Sequence, residues 1–133
     1  MRYGLLKLLT VGMVMYLPSP SSFSQASGDA VQGRAIVLSK QTGLCLLCHS
    51  APVDERFQGN LAPNLSLMVQ DKTPDQLKQA IQDPSLNHPG TIMPSYGKTD
   101  HLQRVARNLE GKPLLSNQQI DDVVAYLLTL QNP

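Results

Sequence analysis

Two cysteines and a histidine, Cys45, Cys48 and His49, are the most reactive group of side chains in this sequence. They form the pattern C-x-x-C-H, in which the imidazole directly follows the second thiol. Two thiols at this spacing can add to the two vinyl groups of a haem, and the adjacent histidine can then bind the iron. The pattern therefore predicts one covalently attached haem c, with His49 as an axial ligand.

Three other interpretations of the cysteine pair stay open on the sequence alone. A redox dithiol of the thioredoxin type would lie near a βαβ pattern, and alternating strand patterns are missing here. A zinc site needs four ligands, and the other histidines, His88 and His101, stand at no familiar ligand spacing. A structural disulfide is the third interpretation, because thiols outside the cytoplasm are normally oxidised.

Met93 is the candidate for the second axial position of a haem iron bound by His49. It lies in a loop with Pro89 and Gly90 before it and Pro94 directly after it. Pro94 disfavours helical geometry at Met93 and stiffens the loop, which helps to hold a weak thioether on iron. A His/Met pair leaves no open coordination position and predicts one-electron transfer. The other possible ligands are His88, Met68 and His101, and His88 in the same loop is the next candidate. His101 is more simply a surface histidine, and Met68 is more simply a side chain that fills a gap in the core.

Pro63 is a candidate for orienting His49. A proline carbonyl at this distance along the chain could accept a hydrogen bond from the other ring nitrogen of His49, which would fix the imidazole tautomer and raise its basicity. The alternative is an ordinary turn proline. The sequence contains no Ser/His/Asp arrangement or carboxylate pair that would predict catalysis by this chain.

The first 26 residues have the pattern of a secretory signal peptide. Arg2 and Lys7 precede the apolar run 8–17, and small residues follow at Ser24 and Ala26. An uncleaved anchor is the alternative, but this run is shorter than the roughly 20 residues that span a bilayer. We therefore expect export to the periplasm and one domain over residues 27–133, whose net charge is −1 because Arg2 and Lys7 are removed. Nucleic-acid binding would need a strong basic excess and is excluded.

Helical periodicity predicts an all-α domain with long loops. A first helix is expected over about 29–40, with Val31, Ala35 and Leu38 on its buried face. Capping boxes predict two more, beginning after Thr73 and after Ser116. The last helix should bury Ile120, Val123, Val124, Leu127 and Leu128, with Asp121 and Asp122 facing outward; a weaker helical pattern covers about 100–109. Long Pro-rich loops in so small a domain indicate that they wrap a bound group.

With these residues placed, the sequence resembles the class I cytochromes c. Members of that family cross their first and last helices at a glycine and an aromatic residue, and Gly33 and Tyr126 stand at the matching positions. Within that class the chain resembles the SoxX family, the small monohaem subunits of the SoxAX cytochromes. The resemblance rests on the segments GLCLLCH at 43–49, GNLAPNL at 59–65, TIMPSY at 91–96, GKPLLS at 111–116 and DDVVAYL at 121–127.

The resemblance implies a partner and a reaction. It implies a periplasmic heterodimer with a larger, SoxA-like c-type cytochrome, whose haem is the catalytic one in coupling thiosulfate to a carrier-protein cysteine. His49 and Met93 would be the axial ligands of the haem held by Cys45 and Cys48. Electrons would pass to a small soluble cytochrome c. The alternative is a free-standing periplasmic electron shuttle.

Overall fold

A computed structural model describes residues 28–100 and 104–131, and the expected signal peptide lies outside them. The described chain contains no strand, and the all-α prediction is confirmed. Its helices are α1 (Ala30–Leu38), α2 (Leu65–Met68), α3 (Pro74–Gln82) and α4 (Asn117–Thr129). Three 3-10 turns lie between them, at Cys45–Leu47, Pro84–Leu86 and Arg107–Leu109.

Helix α1 crosses α4 at Gly33. A Cβ atom on Gly33 would lie 1.9 Å from the backbone oxygen of Asp122, so only glycine allows this approach. Tyr126, one turn further along α4, is buried. The crossing joins the two ends of the domain, and the long loops between them hold the candidate site.

Two details of the crossing differ from the sequence predictions. Gly33 and Val37 form the buried face of α1. Of the three residues predicted to face inward, Leu38 packs partly against the core, whereas Val31 is 75% exposed and Ala35 is exposed. The close approach at Gly33 sets which face of α1 turns inward. Asp122 is buried instead of facing outward, because its carboxylate accepts a hydrogen bond from the Asp29 backbone N–H at 2.8 Å.

Capping boxes fix the starts of α3 and α4 as predicted. The Thr73 hydroxyl accepts from the Gln76 N–H while the Gln76 side chain accepts from the Thr73 N–H, and Ser116 and Gln119 repeat the arrangement. The weaker helical pattern is wrong within the described residues: from 104 to 109 the chain forms only the turn Arg107–Leu109.

The core contains these buried apolar residues: Val37, Leu46, Ala51, Leu65, Val69, Leu77, Ile81, Tyr96, Leu115, Ile120, Val123, Val124, Tyr126, Leu127 and Leu130.

Candidate haem site

The C-x-x-C-H segment folds into a single tight turn. Leu44 begins it in the left-handed conformation, with φ of 58°. The Cys48 and His49 N–H groups both donate to the Cys45 carbonyl, at 3.2 and 2.9 Å. Residues i, i+3 and i+4 of a helical turn are neighbours on one face. The turn therefore brings Cys45, Cys48 and His49 together, as attachment of one flat cofactor requires.

His49 is buried and oriented by Pro63. Its Nδ1 lies 2.7 Å from the Pro63 carbonyl oxygen. A carbonyl can only accept, so Nδ1 carries the proton and donates, which leaves Nε2 with its lone pair free to bind a metal. This is the arrangement that metal-binding histidines use.

Backbone hydrogen bonds hold the Pro63 segment against the turn. The Ala62 N–H donates to the Cys48 carbonyl at 2.9 Å, and the Leu65 N–H donates to the Ser50 carbonyl at 2.8 Å. These bonds lie on either side of Pro63 in the chain. They fix the position of its carbonyl relative to the His49 ring.

The environment of Cys45 suits an uncharged sulfur. Both Cys45 and Cys48 are free thiols, and the Cys45 thiol donates to the Gly43 carbonyl at 3.5 Å. Burial raises the pKa of Cys45 to about 11. A redox dithiol needs a lowered thiol pKa, so this site does not favour the thioredoxin-type interpretation. A thioether to haem carries no charge and fits it.

A zinc site finds no support. Across residues 28–100 and 104–131, no group of three or more His, Cys, Asp or Glu side chains could hold a metal ion. The turn offers two thiols and one imidazole nitrogen only. That set fits a haem c, in which the two thiols bond to the vinyl groups, the porphyrin provides four nitrogen ligands and the imidazole provides one more.

Among the candidates for the second axial ligand that the structure describes, Met93 is the one that packs against the core. It is partly buried, and its backbone N–H donates to the Thr91 hydroxyl at 3.2 Å. Met68 is 42% exposed, so the prediction that it fills a gap in the core is wrong. His88 is exposed, and His101 lies outside the described residues.

Tyr96 joins the Met93 segment to the cysteine turn. Its ring is buried, its hydroxyl donates to the Gly43 carbonyl, and its backbone N–H donates to the Ile81 carbonyl at 3.1 Å. Burial raises the Tyr96 pKa, so the hydroxyl stays protonated and remains a donor. Sequence reasoning missed this residue. The available signal was an aromatic residue three positions after Met93, within reach of the same site.

Comparison with known proteins agrees with this description. Residues 30–131 match the cytochrome c family. A solved structure, the crystal structure of SoxXA from P. pantotrophus, contains a chain that is 31% identical, with a TM-score of 0.70. The match covers 85% of this chain and 89% of that one, and it confirms the predicted resemblance to the SoxX cytochromes. A search of curated proteins found no match. Within the described residues, no helix has the length and apolar character needed to span a membrane.

Proposed function

The chain belongs to the cytochrome c family, and from this premise we propose that it is the electron-transfer subunit of a SoxAX-type complex. One haem c would be attached through Cys45 and Cys48. The observation that carries the ligand assignment is the 2.7 Å contact between His49 Nδ1 and the Pro63 carbonyl, which leaves Nε2 for iron. The similarity to SoxXA supports the assignment to this type of complex.

Haem c, when bound, supplies a one-electron couple between ferric and ferrous iron. His49 Nε2 and the Met93 sulfur would occupy both axial positions. Pro63 would raise the basicity of His49 and hold its ring in one orientation. Met93 would favour ferrous iron and so raise the reduction potential. With both positions taken by the protein, we assign no catalytic residue to this chain.

The partner we propose is a larger c-type cytochrome, SoxA-like, that carries the catalytic haem. There a thiosulfate sulfur would form an S–S bond with a carrier-protein cysteine, releasing the thiol proton and two electrons. This chain would accept those electrons one at a time and pass them to a small soluble cytochrome c. The reaction would take place in the periplasm, after removal of residues 1–26.

Exposed apolar residues beside the cysteine turn support a fixed partner over a free shuttle. Leu47 is 61% exposed and Phe57 is 71% exposed, while Leu46 between the cysteines is buried. Leu46, Leu47 and Phe57 border a groove of about 250 Å³. A shuttle docks briefly through steering charges, whereas a permanent subunit has apolar surface for its partner to cover.

Purification from the periplasm of thiosulfate-grown cells tests this proposal. The tagged chain should emerge red, with a larger c-type cytochrome present in equal amount after a high-salt wash. A second protein carries Leu47→Glu and Phe57→Glu. It should keep its attached haem and should no longer bind the partner. A red, monomeric wild-type chain would instead support the shuttle.

A further inference from the structure

Asp83 lies at the base of the loop that carries Met93. This residue ends α3, and its Oδ1 accepts from the Ser85 N–H at 3.1 Å and from the Ser95 hydroxyl at 3.2 Å. Its Oδ2 lies 3.0 Å from Lys98 Nζ. One carboxylate therefore contacts both the beginning and the end of the segment 84–95.

Two backbone hydrogen bonds close the same loop. The Tyr96 N–H donates to the Ile81 carbonyl at 3.1 Å, and the Gly97 N–H donates to the Gln82 carbonyl at 3.2 Å. These bonds join the two residues before Asp83 to the two residues after Ser95. The hydrogen bond between Ser95 and the Asp83 carboxylate lies one residue closer to Met93 than these backbone bonds.

Apart from the buried Pro84 and the partly buried Met93, the loop keeps its apolar side chains exposed. Leu86 and Ile92 are 63% and 76% exposed, and His88 is exposed. Gly90, with φ of 83°, has no neighbouring atoms within 4 Å of where a Cβ would lie. Segments with few buried apolar contacts open at low free-energy cost. The hydrogen bonds at the base therefore contribute to keeping this loop closed.

The charge of Asp83 fits a permanent contact. The Ser85 hydroxyl and the Lys98 ammonium hold the pKa of Asp83 down, at about 2. The same contact raises the pKa of Lys98. Both groups are therefore charged throughout the neutral range, and the contact does not depend on pH there.

We propose that Asp83 is a positioning residue that clamps the 84–95 loop and thereby keeps Met93 on the iron. This inference rests on the proposed function, because it requires Met93 to be an axial ligand. An external ligand can bind the iron only when the loop has opened, so its apparent affinity is proportional to the open fraction. Asp83 thus controls how readily such ligands replace Met93.

Asp83→Ala tests the clamp in the ferric holo-protein, with imidazole as the probe. We expect imidazole to bind about tenfold more tightly, because the variant loses several hydrogen bonds that hold the loop closed. Ser95→Ala removes one of those bonds and should tighten binding about threefold. It keeps the proposal testable if Asp83→Ala fails to fold.

Asp121→Ala is the matched control. Asp121 pairs with Lys78 at 2.6 Å, and its exposure is close to that of Asp83 in its pair with Lys98. This pair joins α3 to α4 and does not touch the loop. Imidazole affinity in Asp121→Ala should equal that of the wild type.

The outcomes separate the clamp from the proposed function. If the wild type shows the absorption band of a methionine–ferric iron bond and Asp83→Ala binds imidazole no more tightly, the clamp is wrong and the function stands. An equal effect of Asp121→Ala would also overturn the clamp, because it would indicate general destabilisation. A wild type that lacks the methionine band would overturn the ligand assignment, and the clamp with it.

Discussion

The Tyr96 hydroxyl donates a hydrogen bond to the carbonyl of Gly43, two residues before the first cysteine of the C-x-x-C-H turn. Met93 stands three residues before Tyr96 in the chain, a distance of at most about 10 Å along an extended backbone. One buried side chain thus connects the two segments that provide the proposed axial ligands. Tyr96 thus ties the Met93 segment to the cysteine turn.

Replacing Tyr96 by phenylalanine removes this hydrogen bond and keeps the buried ring. We expect the free energy of unfolding to fall by about 1–2 kcal/mol, because the Gly43 carbonyl loses a buried partner. The methionine–iron band should also weaken on heating at a lower temperature than in the wild type. Chemical denaturation and optical melting measure the two effects. Unchanged stability with an unchanged band would contradict this role for Tyr96.

Gly33→Ala should disrupt the crossing of α1 and α4. The new Cβ would lie 1.9 Å from the Asp122 backbone oxygen, and backbone cannot move aside as a side chain can. Overpacking typically costs about 1–3 kcal/mol, and a contact with backbone places this variant at the upper end of that range. Arg34→Ala, at the exposed neighbouring position, should change the unfolding free energy by less than about 0.5 kcal/mol. If both variants melt alike, Gly33 does not limit the helix approach.

Asp122→Ala should cost more than Asp121→Ala. The Asp122 carboxylate accepts from the Asp29 N–H at 2.8 Å and from the Gln118 side chain at 2.9 Å. Removing it leaves a half-buried donor unsatisfied, which costs about 1–3 kcal/mol. Asp121 makes a partly exposed ion pair with Lys78 near the surface, for which about 0–1 kcal/mol is usual. Urea denaturation of the two variants gives the comparison, and equal losses would contradict the buried role of Asp122.

The pair Asp121 and Asp122 also shows where sequence reasoning ends. Periodicity and the Ser116 capping box predicted α4 and its apolar stripe, and both were right. The same reasoning placed both acids outward, because nothing local indicates that α1 begins beside Asp122. That contact joins residues 93 positions apart and is visible only once the chain is folded.

The candidate site could also be predicted only in part from the sequence. The cysteine turn could be predicted because its chemistry is contained in five consecutive residues. The roles of Tyr96 and Asp83 could not, since their partners Gly43 and Lys98 lie on other segments and carry no motif. The periodicity of α1 was wrong for Val31 and Ala35, because it weighs apolar side chains and gives no weight to a glycine at a close approach. The family resemblance, and not the periodicity, indicated Gly33.

Acid should weaken the base of the Met93 loop. The Asp83 pKa is about 2 in the folded protein, below the usual 3.8. A lowered pKa means that its stabilisation is fully present above about pH 4 and is lost as the pH falls towards 2. Lys98 and Asp100 are the charged groups that act across this contact. The difference in unfolding free energy between wild type and Asp83→Asn should therefore shrink from pH 4 to pH 2, and a constant difference would contradict it.

The most direct test of the central claim is an optical redox titration of the wild type beside Met93→Ala. Both proteins should carry covalently attached haem, because Cys45, Cys48 and His49 are unchanged. The ferric wild type should show the methionine–iron band, and the variant should lack it and titrate at a lower potential, because a thioether favours ferrous iron. Identical spectra and potentials would show that Met93 is not a ligand, and a colourless wild type would contradict haem attachment itself.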